Sequence, residues 1–352
     1  MENISLENFL KDINNIREYI KHIELINNIG ETYDTSTELI IKPFIEHLHG
    51  FRTEKKLFEY KAIVISLYGI LEKYIEIWIK EHVNRLSYLI PDYRKLPEKV
   101  NKSHFDLSIK LIALISENRY VKYEKLSKEN ILTTLSSCIT QPLDFKFNSD
   151  AFSPMSGNLK HIKIVESFKP LDIDLRLKLK KNENFSIYLK SLFGKNIEHK
   201  TSESLYFNID DLVRRRNDIA HGTNIDDTLD LSSIIEYIEF LEKYGIAISE
   251  ILCEKEIEYE SFFFYKKINV IKGIFQRGSI LGFEMENNLI KKGDFIIIKT
   301  SDNRFIKKEI LEIEVNKVSY DVLTITDKID VGINLGGGIT ANQQFFIKPN
   351  KT

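Results

Sequence analysis

Through residue 253 apolar positions recur three or four residues apart, the spacing of helices that bury one face. The opening MENISLENFLKDINNIREYIKHIEL carries acidic residues early and keeps this period, which predicts an amphipathic helix and not a signal peptide. From Phe58 to Leu86 apolar side chains occupy nearly every face of the first four turns, as in a helix at the centre of a bundle or between two subunits. Further helices are predicted at 105–116, 127–139, 183–193, 208–221 and 229–253. Residues 141–158 combine Pro, Gly, Ser and Asn without a period and read as a loop, as do 194–207. After Cys253 the pattern changes to alternation and β-branched residues, punctuated by Gly273, Gly278, Gly282 and Gly293. Six or seven short strands at this spacing suggest a small barrel or sandwich. The expected fold class is a multi-domain α + β chain, with an all-α helical bundle over 1–253 and a small β-barrel over 254–352.

Composition narrows the function. Apolar residues at 43% and charged residues at 29% exclude wholesale disorder. Lys+Arg 50 against Asp+Glu 52 excludes a polybasic scaffold, so a polyanion would have to be held by a local patch. Over 254–352 the same count is 15 against 14, no basic signature either. Two cysteines, Cys138 and Cys253, make neither a disulfide framework nor a zinc site on their own. With no run of 18 apolar residues to span a membrane, the expectation is a soluble, cytoplasmic protein.

One segment carries chemistry, NIDDLVRRRNDIAHG at 208–222. Asn208 suits an N-cap, Asp210 and Asp211 suit the positive end of the helix dipole, and Gly222 suits a C′ stop. Ile209, Leu212, Val213, Ile219 and Ala220 form the expected buried stripe. Arg214, Arg215 and Arg216 then fan around roughly 200° of the helix, so at least one lies near that stripe and needs an anionic partner. Arg216 and His221 stand about 140° apart and straddle one groove. There a guanidinium fork can meet non-bridging phosphate oxygens while an imidazole transfers a proton, with Asn217 orienting either group. The plain reading of the same residues is a histidine bonded to a free carbonyl and an arginine triplet on a solvated face.

The hexapeptide RNDIAH resembles the R-x4-6-H motif of the HEPN superfamily of helical ribonucleases. LVRRRNDIAHG near the end of a helical domain and EYKAIVISLYGILEKYIE at its start are similar to the HEPN-like nuclease family first annotated in cyanobacterial genomes. The resemblance spans 1–253 and implies that Arg216 and His221 are a catalytic pair, with Asn217 the polar neighbour. It implies metal-independent RNA cleavage by 2′-hydroxyl attack, leaving a 2′,3′-cyclic phosphate and a 5′-hydroxyl, with no cofactor. It also implies a homodimer and a place in antiphage or toxin–antitoxin systems beside an inhibitor or sensor. Arg214 and Arg215 lie outside the motif and either grip the RNA backbone or decorate the surface.

Residues 266–349 resemble the second-domain β-barrel of translation elongation factors such as elongation factor Tu. Gly278 and Gly282 sit at the turn, Lys291 to Asp294 at the hairpin, and Val331 and Gly332 in the late strand. That resemblance implies a module that delivers tRNA or a translation complex; a generic protein-interaction barrel is the other reading. Gly336 to Gly338 lack the Lys-Ser/Thr ending of a P-loop and read as a turn or bulge. His47 and His49 lack a zinc-binding register, Glu72 and Glu76 read as a solvated face, and the aromatic run from Phe262 to Tyr265 as barrel core. A non-catalytic RNA-binding or protein-interaction adaptor is the alternative to the nuclease.

Overall fold

The computed structural model describes residues 3–32, 42–117, 123–153, 158–222 and 227–349. Residues 154–157 of the loop expected at 141–158 lie outside them. Among the described residues the helices are α1 (Ile4–Thr32), α2 (Lys42–Gly50), α3 (Arg52–Leu89), α4 (Glu98–Ser116), α5 (Lys128–Thr140) and α6 (Ser149–Phe152). They continue with α7 (His161–Phe168), α8 (Leu175–Lys181), α9 (Glu183–Phe193), α10 (Ser202–Leu205), α11 (Phe207–Ala220) and α12 (Leu231–Phe264).

Helices α7 and α8 were not legible as periodic stretches. Each is too short to display a period, yet Ile164, Val165 and Phe168 are buried on one and Leu175 and Leu179 on the other. Asp174 caps α8 by accepting from the Leu177 amide at 3.0 Å. Helix α3 is not apolar all round. Tyr60, Ile63, Leu67, Leu71, Tyr74 and Trp78 follow one buried stripe, while Phe58 (69%) and Ile65 (49%) face outward.

The expected change of character near residue 255 falls inside α12, which runs to Phe264. The segment EIEYES reads as a two-residue alternation, but its apolar Ile257 is only half-buried while Glu256 and Tyr259, three apart, are buried, and Lys255 pairs with Glu258 at 3.0 Å. The run expected as a first core strand is therefore a helix end, with Phe262 69% exposed.

The chain divides into two compact units. Met1–Asn84, Pro97–Ser136 and Phe147–Ile251 make the first; Arg85–Leu96, Ser137–Lys146 and Leu252–Thr352 make the second. The first has an aromatic interior. Phe9 meets Tyr74 and Trp78 edge-on, and Tyr206 stacks on His161 at 3.5 Å beside Phe185, Phe240 and Tyr244.

The second unit carries the strands β1 (Lys266–Lys267), β2 (Ile271–Phe275), β3 (Ile280–Met285), β4 (Asn288–Lys291), β5 (Phe295–Lys299) and β6 (Phe305–Glu309). Then follow β7 (Glu312–Val315), β8 (Val318–Tyr320), β9 (Val322–Ile325), β10 (Ile329–Asn334) and β11 (Gln344–Ile347). They exceed the six or seven expected because strands as short as β1 and β8 show no alternation. All ladders are antiparallel, in sheets ordered β1-β11-β5-β6, β2-β3-β10-β7-β8 and β4-β9. The sheets share one apolar core in which Val331 pairs with Phe283 and Ile333 with Leu281. The hairpin at 291–294 closes on itself, with the Lys291 amide donating to Asp294 Oδ2 at 2.8 Å. Gly336, Gly337 and Gly338 form a turn between β10 and β11 under the Lys308 ammonium, which donates to the carbonyls of Leu335 and Gly337.

Candidate active site

Helix α11 carries the motif. Its N-cap is Tyr206, and Asn208, the expected cap, lies in the first turn. Tyr206 is fully buried, so packing and not a polar side chain decides where this helix starts. Asp210 serves a neighbour instead of its own helix end, accepting from the His161 amide at 2.8 Å. Ile209, Leu212 and Val213 are buried as expected, whereas Ile219 is half-buried and Ala220 exposed, because the last turn rises out of the core. The helix closes on His221 as C-cap, and Gly222 follows with φ 68°, the left-handed residue a C′ position calls for. His221 is exposed.

The three arginines meet different fates. Arg215 is the buried one, 7% exposed. Its Nε donates to Asp211 Oδ2 at 2.6 Å, its Nη1 to Tyr60 Oη at 3.0 Å and to the Asp227 carbonyl at 2.9 Å, and its Nη2 reaches Asp227 Oδ2 at 3.3 Å. The anion a buried arginine needs is thus a carboxylate one turn back on the same helix. This corrects the expectation of Arg215 as a surface or RNA contact. Arg214 stays outside, bonded to Asp211 Oδ1 through Nε at 3.0 Å and paired with Asp218 at 3.2 Å. Asp211 also receives the Tyr237 hydroxyl at 2.6 Å. Burial alone would raise its carboxyl pKa, but hydrogen bonds from Tyr237, Arg215 and Arg214 outweigh that and hold it below the usual range.

Arg216 is half-buried and differently held. Its guanidinium carbon stands 4.5 Å from the centre of the Tyr68 ring, and its Nη1 donates to Asn217 Oδ1 at 3.0 Å. Among the described residues no carboxylate pairs with it. The Asn217 amide in turn donates from Nδ2 to Asn158 Oδ1. Tyr68 is 2% exposed; its hydroxyl accepts from the Leu159 amide and donates to Glu72 Oε1, both at 3.3 Å. Arg216, Asn217, the Asn158 side chain, the Leu159 amide and Tyr68 thereby close a ring of contacts joining α11, α3 and the segment entering α7.

Asn158 and Tyr68 had no sequence signal, since they lie 59 and about 150 residues from the motif and carry no spacing relative to it. Glu72, expected on a solvated face, accepts from Tyr68, whereas Glu76 pairs with Lys80 at 2.7 Å. Among the described residues His82, His104 and His161 are buried. Burial, with the Arg176 cation adding to it, pushes His161 down to about 3, and burial pushes His104 down to about 4. Among the described residues no three His, Cys, Asp or Glu side chains are placed to hold a metal ion.

The family description RiboL-PSP-HEPN matches residues 7–254, well over half of the chain. The chain belongs to the RiboL-PSP-HEPN family. The match contains the whole of α11 and both Arg216 and His221, and it bears out the HEPN resemblance of the helical region. Membership gives this RiboL-PSP-HEPN protein a nuclease- or RNA-related role in general terms. No curated protein and no solved structure matches the chain. No helix among the described residues is long and apolar enough to cross a membrane.

Proposed function

We propose that this RiboL-PSP-HEPN protein is a metal-independent endoribonuclease whose reacting groups are Arg216 and His221. The observation that carries the reading is the state of Arg216: alone in its triplet, it keeps a charge that no described carboxylate meets. A guanidinium has five N–H donors, and among the described residues only one is used, by Asn217, so the others are open to a phosphodiester. In the proposed step the ribose 2′-oxygen bonds to the adjacent phosphorus and its proton leaves to water. The bond from phosphorus to the 5′-oxygen breaks, with His221 supplying that oxygen's proton and Arg216 opposing charge on the non-bridging oxygens. The products carry a 2′,3′-cyclic phosphate and a 5′-hydroxyl.

Asn217 aligns Arg216 in this scheme, and Arg214, exposed but engaged with Asp211 and Asp218, is the one member of the pair Arg214 and Arg215 still able to reach RNA. We take tRNA as the substrate class on the elongation-factor likeness of residues 266–349, and a cytoplasmic homodimer in an antiphage or toxin–antitoxin system as the setting. A second reading, a non-catalytic adaptor, rests on the apolar side chains its outer strands expose, such as Phe275 (52%) and Val318 (54%).

The test is incubation of wild type, Arg216→Ala and His221→Ala with total tRNA in excess EDTA. Discrete fragments with cyclic 3′ ends from wild type alone are expected. Equal cleavage by either variant would overturn the site, and intact tRNA with all three, together with equal growth on expression in cells, would favour the adaptor.

A further inference from the structure

The motif arginine does not hold itself in place. A free arginine side chain samples many rotamers, and a carboxylate, the usual restraint, would also neutralise the charge and compete with the phosphate. Here the restraint is uncharged. The Tyr68 ring lies 4.5 Å from the guanidinium carbon, close enough for cation–π attraction, and a neutral ring leaves the positive charge un-neutralised. The ring itself is fixed three ways: it is 2% exposed, its hydroxyl accepts from the Leu159 amide, and it donates to Glu72. Burial raises the phenol's pKa above its usual value, so the hydroxyl stays a donor at neutral pH. Arg216 Nη1 is also held by Asn217 Oδ1, and Asn217 in turn donates to Asn158, the residue before Leu159.

We propose that Tyr68 is the positioning residue for Arg216, a neutral platform that fixes the guanidinium for a phosphate without occupying its charge. The proposal rests on the nuclease reading for its kinetic consequence, but not for its structural one. Of the two parts of the side chain, the ring carries the function and the hydroxyl tethers the ring.

The experiment uses full-length protein with Tyr68→Phe, Tyr68→Trp and Tyr68→Leu, each labelled with ¹³C,¹⁵N-arginine and compared with Arg216→Lys to assign the Arg216 signals. Arg216 Hδ resonances displaced upfield by the ring current are expected in wild type, Tyr68→Phe and Tyr68→Trp, and at ordinary positions in Tyr68→Leu. With tRNA in EDTA, Tyr68→Leu should lose about tenfold or more in kcat with KM held within about twofold, and Tyr68→Phe should stay within about threefold of wild type. Unshifted Arg216 signals in wild type would overturn the platform, as would Tyr68→Leu cleaving like wild type. If Tyr68→Leu does not fold, Tyr68→Phe and Tyr68→Trp decide: ordinary Arg216 positions in both would overturn the proposal. If wild type cuts no RNA, the nuclease reading falls, and the Arg216 shifts still decide the placement.

Discussion

Asp211 and Arg215 face each other one helical turn apart inside the first unit, Oδ2 to Nε 2.6 Å, with side chains 3% and 8% exposed. Two charges that lack water must answer each other, and removing one strands the other. Because Asp211 also holds Arg214 and Tyr237, this pair sets the orientation of α11 and therefore of the residues that follow it.

Arg215→Ala should lower stability by about 3–5 kcal/mol in chemical denaturation, since it leaves Asp211 buried without its buried cationic partner. Arg214→Ala, at an exposed and screened position, should cost under about 1 kcal/mol. Equal effects would mean that the two pairs do not differ in burial as described.

The same carboxylate predicts an acid limb. The Asp211 pKa is lower folded than unfolded, so its contribution is full above the unfolded value near pH 4 and is lost as pH falls through the folded one. Asp211→Asn should be less stable than wild type at neutral pH, with the difference shrinking below about pH 4. A constant difference down to pH 2 would contradict the ion pair.

His161 and His104 act higher on the pH scale. Unfolded histidine titrates near pH 6.5, whereas these two take a proton only at about 3 and about 4. The folded pKa is depressed for a base, so the unfolded chain binds protons first and stability falls as pH drops below 6.5. Each should contribute a slope approaching about 1.4 kcal/mol per pH unit between its two values. His104→Gln keeps an acceptor for the Asn148 amide and should remove one of these slopes, read from denaturation at pH 5 and 7.

Asn158 holds φ 59°, a conformation glycine adopts without strain, so Asn158→Gly removes the anchor of Asn217 while leaving the backbone at ease. The expected result is a several-fold fall in RNA cleavage with the melting temperature nearly unchanged. Cleavage equal to wild type would mean that Asn217 needs no anchor.

In the β-unit, Gly278 combines φ 88° with a Cβ position only 2.7 Å from the Ile339 carbonyl oxygen. Gly278→Ala should therefore cost about 2 kcal/mol or more and lower the melting temperature by calorimetry. Gly222→Ala, with open space around its Cβ, should cost only the left-handed strain of about 1 kcal/mol.

Local features account for what was legible in the chain. The helices at 127–139 and 183–193 emerged within a residue of α5 and α9, and that at 105–116 with the end of α4 though not with its start at Glu98, because a period of three to four needs only its own residues to show. The Gly222 stop emerged for the same reason. The change from helix to strand expected near 255 did not, because α12 runs on to Phe264 and glutamates alternating with apolar residues satisfy a strand period and a helix period at once.

By itself the sequence determined the order of helical and β regions, the motif helix and the demand that one arginine of three find an anion. Only the tertiary structure decided which one. Tyr60 and Asp227 close over Arg215, and Tyr68 with Asn158 supports Arg216, all brought from distant parts of the chain. Burial and charge pairing are properties of three-dimensional neighbours, and a helix of adjacent arginines does not encode which side will meet them.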